Sequence, residues 1–165
     1  MGETPIFNAC RQEPSNSYAL ELLIKWNCDV SVLNINGLNA LKIAFNSECC
    51  RMSYMGRGFR EVVKLLVDND CSVNICDADG QTPLHRACSE GCVDEAELLL
   101  KRNSNINQCD NLMKTPLILA VEGRHTKVVA MLRENKWDID IDSKNRLIAI
   151  DIGVKKRIVD IKNLT

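Results

Sequence analysis

The stretch Asp77–Asn107, DADGQTPLHRACSEGCVDEAELLLKRNSNIN, decides the fold. Gly80 ends a run of turn-forming residues and supplies the positive φ that a side chain would resist. Thr82 and Pro83 then mark the start of a helix, because a hydroxyl caps the free amides of the first turn and proline is tolerated at the first helical position. Gly91 is expected to end this helix.

A second helix is predicted directly after the first. It opens with Asp94 and Glu95 and closes with Lys101 and Arg102, as the helix dipole prefers. Three leucines precede the basic end and form its apolar side. The predicted unit is therefore turn, helix, turn, helix, and it has too little apolar surface to fold without neighbours.

Neighbours with the same signals occupy the rest of the chain. Thr82-Pro83-Leu84 returns as Thr115-Pro116-Leu117, one period of 116 − 83 = 33 residues later, and weaker copies begin at Thr4, Asn39 and Ala149. A 33-residue period with a T-P-L-H-x-A core resembles the ankyrin repeat family. Thr82–Ala87 matches that core at every specified position.

The resemblance implies an all-α ankyrin-repeat solenoid of about five helix-turn-helix units joined by β-hairpin-like turns. We expect a single domain over residues 1–165, with repeats at about 1–33, 34–76, 77–109, 110–142 and 143–165. The last unit is short and carries charged residues, which is typical of a terminal capping repeat.

Two departures from the repeat pattern stand out. An insertion at about 47–58 separates the two helices of the second unit and contains Tyr54 and Arg57. Such insertions form loops that often lie on a binding face, but loops also tolerate sequence drift without a function, and both interpretations stay open. Met113 stands where the turn glycine belongs, so its turn is either strained or differently shaped, and it exposes Leu112 and Met113.

Composition excludes several classes of protein. The net charge is −1 and 45% of the residues are hydrophobic, which gives no support to a nucleic-acid-binding role. No apolar run has the length of a membrane span, and the first residues lack a signal-peptide pattern. We therefore expect an intracellular protein, cytoplasmic or nuclear, whose nine cysteines are free and mostly packed as small apolar residues. A redox-responsive role for Cys49–Cys50 stays open.

The sequence contains no residue pattern that is typical of an enzyme active site. His85 and His125 both match histidines of the repeat pattern, where the resemblance implies a hydrogen-bonding role. A zinc site would need His85, Cys88 and Cys92, but Gly91 breaks the helix between the cysteines and no fourth ligand is evident. Nucleotide-binding and hydrolase motifs are missing. We expect no enzyme, no cofactor and no metal.

The resemblance implies a protein–protein interaction module, a scaffold or adaptor that binds a protein partner through the concave face of turn tips and inner helices. Leu112 is the best apolar candidate, because the fold does not need it there, and Trp26 is the best aromatic one. An alternative is a structural spacer or capping segment of a longer repeat array with no ligand of its own, favoured if the native chain continues with more repeats. The predicted contact residues are Leu112, Met113, Asn111, Lys114, Asp79, Gln81, Ser89, Glu90, Asn36, Leu38, Trp26, Tyr54 and Arg57.

Overall fold

The computed structural model describes residues 4–11, 17–47 and 56–135. Within these ranges the chain forms eight α-helices and no strand. The helices are α1 (Pro5–Arg11), α2 (Ser17–Lys25), α3 (Ala40–Asn46), α4 (Gly56–Asp68), α5 (Pro83–Glu90), α6 (Val93–Lys101), α7 (Pro116–Glu122) and α8 (Thr126–Glu134).

The helices stack as two parallel layers. Each odd-numbered helix packs on the next odd-numbered one and forms an inner row, whereas the even-numbered helices form an outer row. Within each consecutive pair the inner helix also packs on the outer helix. This arrangement confirms the predicted all-α solenoid. The repeat boundaries stay predictions, and the predicted fifth unit at 143–165 lies outside the described residues.

The inner helices begin at equivalent polar residues. The side chains of Asn39, Thr82 and Thr115 each accept the backbone N–H of the residue three positions on. Each thereby satisfies one amide that the first helical turn leaves free. Pro83 and Pro116 are the first residues of α5 and α7, and the predicted helix starts are thereby confirmed. These signals fix where each unit starts.

Small residues allow the units to stack closely. Ala44, Ala87 and Ala120 occupy equivalent positions on successive inner helices and are fully buried. Larger apolar side chains fill the space between the two rows, and the rings of Phe45 and Phe59 meet edge to face at 5.2 Å. Because interiors are packed at crystal-like density, this alternation of small and large residues holds the rows in register.

Residues with positive φ recur at equivalent points of the units. Asn27, Asp70 and Asn103 end the outer helices with φ of 56°, 62° and 61°. Asparagine and aspartate enter this left-handed region more readily than other residues with side chains. The recurrence explains why short polar residues follow each outer helix.

In the turns between units, the residue with positive φ is glycine in two cases and methionine in a third. Gly37 and Gly80 have φ of 71° and 75°, and Met113 at the equivalent position has φ of 60°. The turn that contains Met113 therefore keeps the same backbone conformation as the turns with glycine. Of the two alternatives raised by the sequence, strain is the one that the structure shows.

The last residues of the predicted insertion in the second unit are helical. Helix α4 begins at Gly56, so Arg57 and Gly58 belong to a helix and not to a loop. The prediction of a loop to residue 58 was wrong, because glycines weaken a helix without breaking its hydrogen bonds as a proline would. Tyr54 and the rest of the insertion from residue 48 lie outside the described residues.

A buried ion pair joins the second unit to the third. Lys42 is fully buried, and its Nζ lies 3.0 Å from Oδ2 of Asp77. Burial lowers the pKa of Lys42, because it removes water from the ammonium, and the bond to Asp77 opposes this shift. Burial raises the pKa of Asp77, but hydrogen bonds from Lys42, Gln81 and Asp79 outweigh it and leave that pKa lowered. The pair thus fixes an inner helix against the following turn.

We expect Met113→Gly to raise the free energy of unfolding by about 0.5–1 kcal/mol. A residue with a side chain loses about 1–2 kcal/mol in the left-handed backbone conformation, and relief of this strain exceeds the entropic cost of glycine. Little burial is lost, since the Met113 side chain is exposed. Leu112→Gly is the matched control, because Leu112 has no positive φ, and it should lose about 0.5–1 kcal/mol. Urea unfolding measures both, and a Met113→Gly protein less stable than wild type would contradict the strain.

We expect Asp77→Asn to cost about 3 kcal/mol at neutral pH, because it leaves the Lys42 ammonium buried without its charge partner. Asp77 has a lowered pKa in the folded state, so this contribution is present above the ordinary value of 3.8 and is lost as pH falls through the lowered value. The free energies of unfolding of wild type and Asp77→Asn, measured by urea unfolding from pH 7 to pH 2, should therefore converge as the pH falls.

The double variant Lys42→Met with Asp77→Asn is the control for this pair. It removes the buried ammonium, so it should recover part of the loss at neutral pH. A gap between wild type and Asp77→Asn that does not change with pH would show that the charge of Asp77 contributes nothing.

Candidate partner-binding surface

Three equivalent turns precede the inner helices α3, α5 and α7. We number them by their units as the second turn (Asn34–Leu38), the third turn (Asp77–Gln81) and the fourth turn (Asp110–Lys114), and we call them together the turn row. In each turn the first residue donates its N–H to the carbonyl of the fifth, over 2.9, 3.1 and 2.9 Å. The side-chain oxygen of the first residue also accepts the N–H groups of the third and fifth. The first residue thus closes each turn, and the side chains at the tip are not needed for its shape.

Adjacent turns are also joined to each other. Asn111 donates its backbone N–H to the carbonyl of Asp79 over 3.0 Å, and its side-chain amide to that of Ala78 over 2.9 Å. Gly80 lies so close that a Cβ there would approach the Asn111 Oδ1 to 2.6 Å. The third and fourth turns therefore form one continuous surface.

Large apolar side chains stand at two tips of the turn row. Leu112 and Met113 are 74% and 60% exposed, which confirms the predicted exposure of both. Ile35 in the second-unit turn is 82% exposed. Ile35 belongs to the turn tips, although it is not one of the thirteen contact residues predicted above. The signal that identifies it is an apolar residue at a tip whose shape is already fixed by Asn34.

Several predicted polar contacts already have partners within the chain, as four short interactions show. They are Lys114 Nζ to Glu122 at 2.8 Å, Gln81 Nε2 to Asp110 at 3.2 Å, Arg86 to Glu90 at 3.3 Å, and Ser89 Oγ to the Arg86 carbonyl at 3.0 Å. A partner protein would have to compete with these interactions or bind beside them. Their role in binding stays a prediction.

The remaining predicted residues are divided between the turn row and other places. Asn36 is exposed at the tip of its turn, whereas Leu38 is partly buried against the core. Trp26 is 72% exposed but follows α2, an outer-row helix. Arg57 belongs by its backbone to α4, which is also an outer helix. The structure thus brings together the predicted residues of the turns and leaves Trp26 and Arg57 in the outer row.

Every charged side chain of the turn row except one is either paired with an opposite charge or buried. Asp77 is paired with Lys42, and Lys114 is paired with Glu122. Asp110 is buried and accepts hydrogen bonds from its own turn and from Gln81. Asp79 is exposed, and the described residues include no side-chain partner for its carboxylate. The third turn therefore presents an uncompensated negative charge.

The histidines have the roles in linking units that the repeat pattern implied. The buried His85 accepts the N–H of Thr82 at Nδ1 over 3.1 Å and donates Nε2–H to the Lys114 carbonyl over 3.1 Å. Burial lowers its pKa, which keeps the ring neutral as these bonds require. His125 donates Nε2–H to the Ser89 carbonyl of the preceding unit over 2.9 Å.

Cys88, the thiol considered as a metal ligand, is fully buried in the structure. Burial raises the pKa of the Cys88 thiol, so it is a poor nucleophile and a poor metal ligand. Over residues 4–11, 17–47 and 56–135, no group of three or more His, Cys, Asp or Glu side chains could hold a metal ion. None of the helices in these ranges has the length and apolar character needed to cross a membrane.

Comparison with known proteins gives a consistent result. A family model described as ankyrin repeats (3 copies) matches residues 50–145. The probable 26S proteasome regulatory subunit p28 of Saccharomyces cerevisiae is 30% identical over 119 residues, which cover 71% of this chain and 52% of that protein. Human Rabankyrin-5 is 34% identical over 68 residues, or 41% of this chain and 6% of the relative.

A third relative shows the same pattern of coverage. An ankyrin repeat and KH domain-containing protein of Caenorhabditis briggsae is 40% identical over 107 residues, or 64% of this chain and 4% of that protein. The chain therefore spans about half the length of the yeast relative, 52%, and a small fraction of the others.

Ankyrin repeats are generally protein–protein interaction modules, and the family is generally non-catalytic. The family model covers more than half of the 165 residues, and the structure shows the two-layer stack of helix pairs that the repeats imply. The chain belongs to the ankyrin repeat family.

Proposed function

We propose that this protein is a non-catalytic binding module that recognises a protein partner through the turn row and the adjoining ends of the inner helices. The observation that carries this proposal is the exposure of Leu112 and Met113 at the tip of the fourth turn. Met113 also takes the backbone conformation of a glycine there.

The fourth turn carries a cost that its own fold does not offset. A residue with a side chain in the left-handed region loses about 1–2 kcal/mol relative to its ordinary conformation. Asp110 closes the turn through hydrogen bonds to Leu112 and Lys114, so neither apolar side chain is needed for the shape. Burial of one leucine against a partner is worth about 1.5–3 kcal/mol, which exceeds this cost.

The surroundings of this tip suit a protein contact. Apolar anchors with a polar rim are typical of protein interfaces. Here the polar neighbours are Asn111, in the same turn, and Asp79 in the turn of the third unit, whose carbonyl accepts the N–H of Asn111. An exposed apolar tip of this kind favours a protein surface or segment over a small molecule, for which an enclosed pocket is usual.

The context supports a protein partner inside the cell. The yeast relative is named as a regulatory subunit of the 26S proteasome, which is a protein assembly. The described cysteines Cys10, Cys28, Cys71, Cys76, Cys88, Cys92 and Cys109 are free thiols, as is usual for proteins in a reducing compartment.

We expect Leu112→Asp to weaken partner binding at least about tenfold, because it replaces an apolar anchor with a charge that must be desolvated. Its melting temperature should stay within about 2 °C of wild type, since the side chain is exposed. Proteins captured from lysate by immobilised wild type are identified by mass spectrometry, and the dissociation constant of each purified candidate is then measured by calorimetry.

Thr126→Asp is the matched control, because it adds the same charge at an exposed position in the first turn of the outer helix α8, where an acidic residue is favoured. It should bind the partner like wild type. A large loss of stability in Leu112→Asp would show that Leu112 belongs to the core. Equal partner binding by both variants would place the contact outside this tip, and capture of no partner by wild type would favour a structural spacer.

A further inference from the structure

Two apolar tips flank an acidic one in the turn row. Ile35 and Leu112 lie in the second and fourth units, and Asp79 lies between them in the third. We propose that the turn row binds an extended segment of the partner in which two apolar side chains flank a lysine or arginine. This inference rests on the proposed function and specifies the chemistry of the partner.

The spacing of the units sets the length of the segment. Inner helices pack in a row, and packed helices lie about 8–10 Å apart, so two steps of the row separate Ile35 and Leu112 by about 16–20 Å along the stack. An extended chain advances about 3.3 Å per residue, so the two anchors are about five or six residues apart. Side chains alternate between the two faces of an extended chain, and an even separation places both anchors on the same face.

The charge of the surface sets the residue between the anchors. The other acidic groups of the three turns are paired or buried, whereas the Asp79 carboxylate is exposed and has no described side-chain partner. A basic side chain on the same face as the anchors stands two or four residues after the first of them. The proposed segment is therefore apolar at positions 1 and 7 and basic at position 3 or 5.

A membrane surface fits these tips less well than a peptide does. Binding to anionic lipid requires clusters of lysine or arginine. The three turns contain one basic residue, Lys114, and it is paired with Glu122. Asp79 between the apolar tips would be repelled by anionic headgroups. A basic peptide satisfies the same carboxylate.

A displayed library of heptapeptides, randomised at all seven positions and flanked by glycine-serine linkers, tests the proposal when it is selected on the wild-type protein. The enriched sequences should be apolar at positions 1 and 7 and basic at 3 or 5. The best peptide is then synthesised, and its dissociation constant is measured by fluorescence polarisation against the variants.

Ile35→Asn and Leu112→Asn should each weaken the peptide about tenfold, since each removes one apolar anchor. Asp79→Lys should reverse the charge preference, so that this variant binds the peptide with glutamate in place of the basic residue more tightly than wild type does. Glu134→Lys is the control for this charge change, because Glu134 is exposed at the end of the outer helix α8, and it should leave both peptides unaffected.

The outcomes separate this inference from the function on which it rests. If Leu112→Asn weakens the peptide and Ile35→Asn does not, the two-anchor segment is wrong and binding through the fourth turn stands. If Asp79→Lys does not reverse the charge preference, the basic residue is wrong. If no peptide is enriched, or none responds to either tip, the peptide inference fails, and the proposed function is then decided by partner capture with Leu112→Asp. Binding of wild type to phosphatidylserine vesicles that is lost with Ile35→Asn and Leu112→Asn would replace the peptide with a lipid surface.

Discussion

The structure depends on how each inner helix is joined to the turn of the following unit. Lys42 reaches Asp77 in the second junction, and His85 reaches the Lys114 carbonyl in the third. Both side chains occupy the same repeat position and are fully buried, so a polar group left without its partner there would carry the full cost of desolvation. These bonds specify the register of the stack, whereas the apolar core supplies most of the stabilising free energy.

The same constraint determines which residues within each turn can vary. The turns are closed by Asn34, Asp77 and Asp110 and are anchored from below by the inner helices. The side chains of Ile35, Asp79 and Leu112 therefore have no role in closing their turns. A surface that varies on a fixed frame is suited to partner recognition. Strain at Met113 fits this interpretation, because strained backbone persists where the surrounding structure holds it in place.

Much of the fold follows from local signals in the sequence. The Thr-Pro helix starts at Thr82 and Thr115 and the turn glycine at Gly80 act through their own backbone conformation and nearest hydrogen bonds, so their effect is readable without a structure. The start of α4 at Gly56 was not predicted, because glycine disfavours a helix locally while hydrogen bonds with the following turn extend it. The insertion before it, with Tyr54, is not described.

The sequence by itself determined the helix pairs, the all-α class and the exposure of Leu112, because the 33-residue period repeats the same local physics in each unit. Only the tertiary structure decided what the polar residues do. Asn111, Gln81 and Lys114 read as free surface residues, yet they contact Ala78, Asp110 and Glu122. Lys42 reads as an ordinary surface lysine and is buried against Asp77. The contacts of Asn111, Gln81 and Lys42 join residues 29 to 35 positions apart, so they depend on how the units stack, which no local pattern encodes. Lys114 and Glu122 lie eight positions apart and are brought together by the path of the chain through α7.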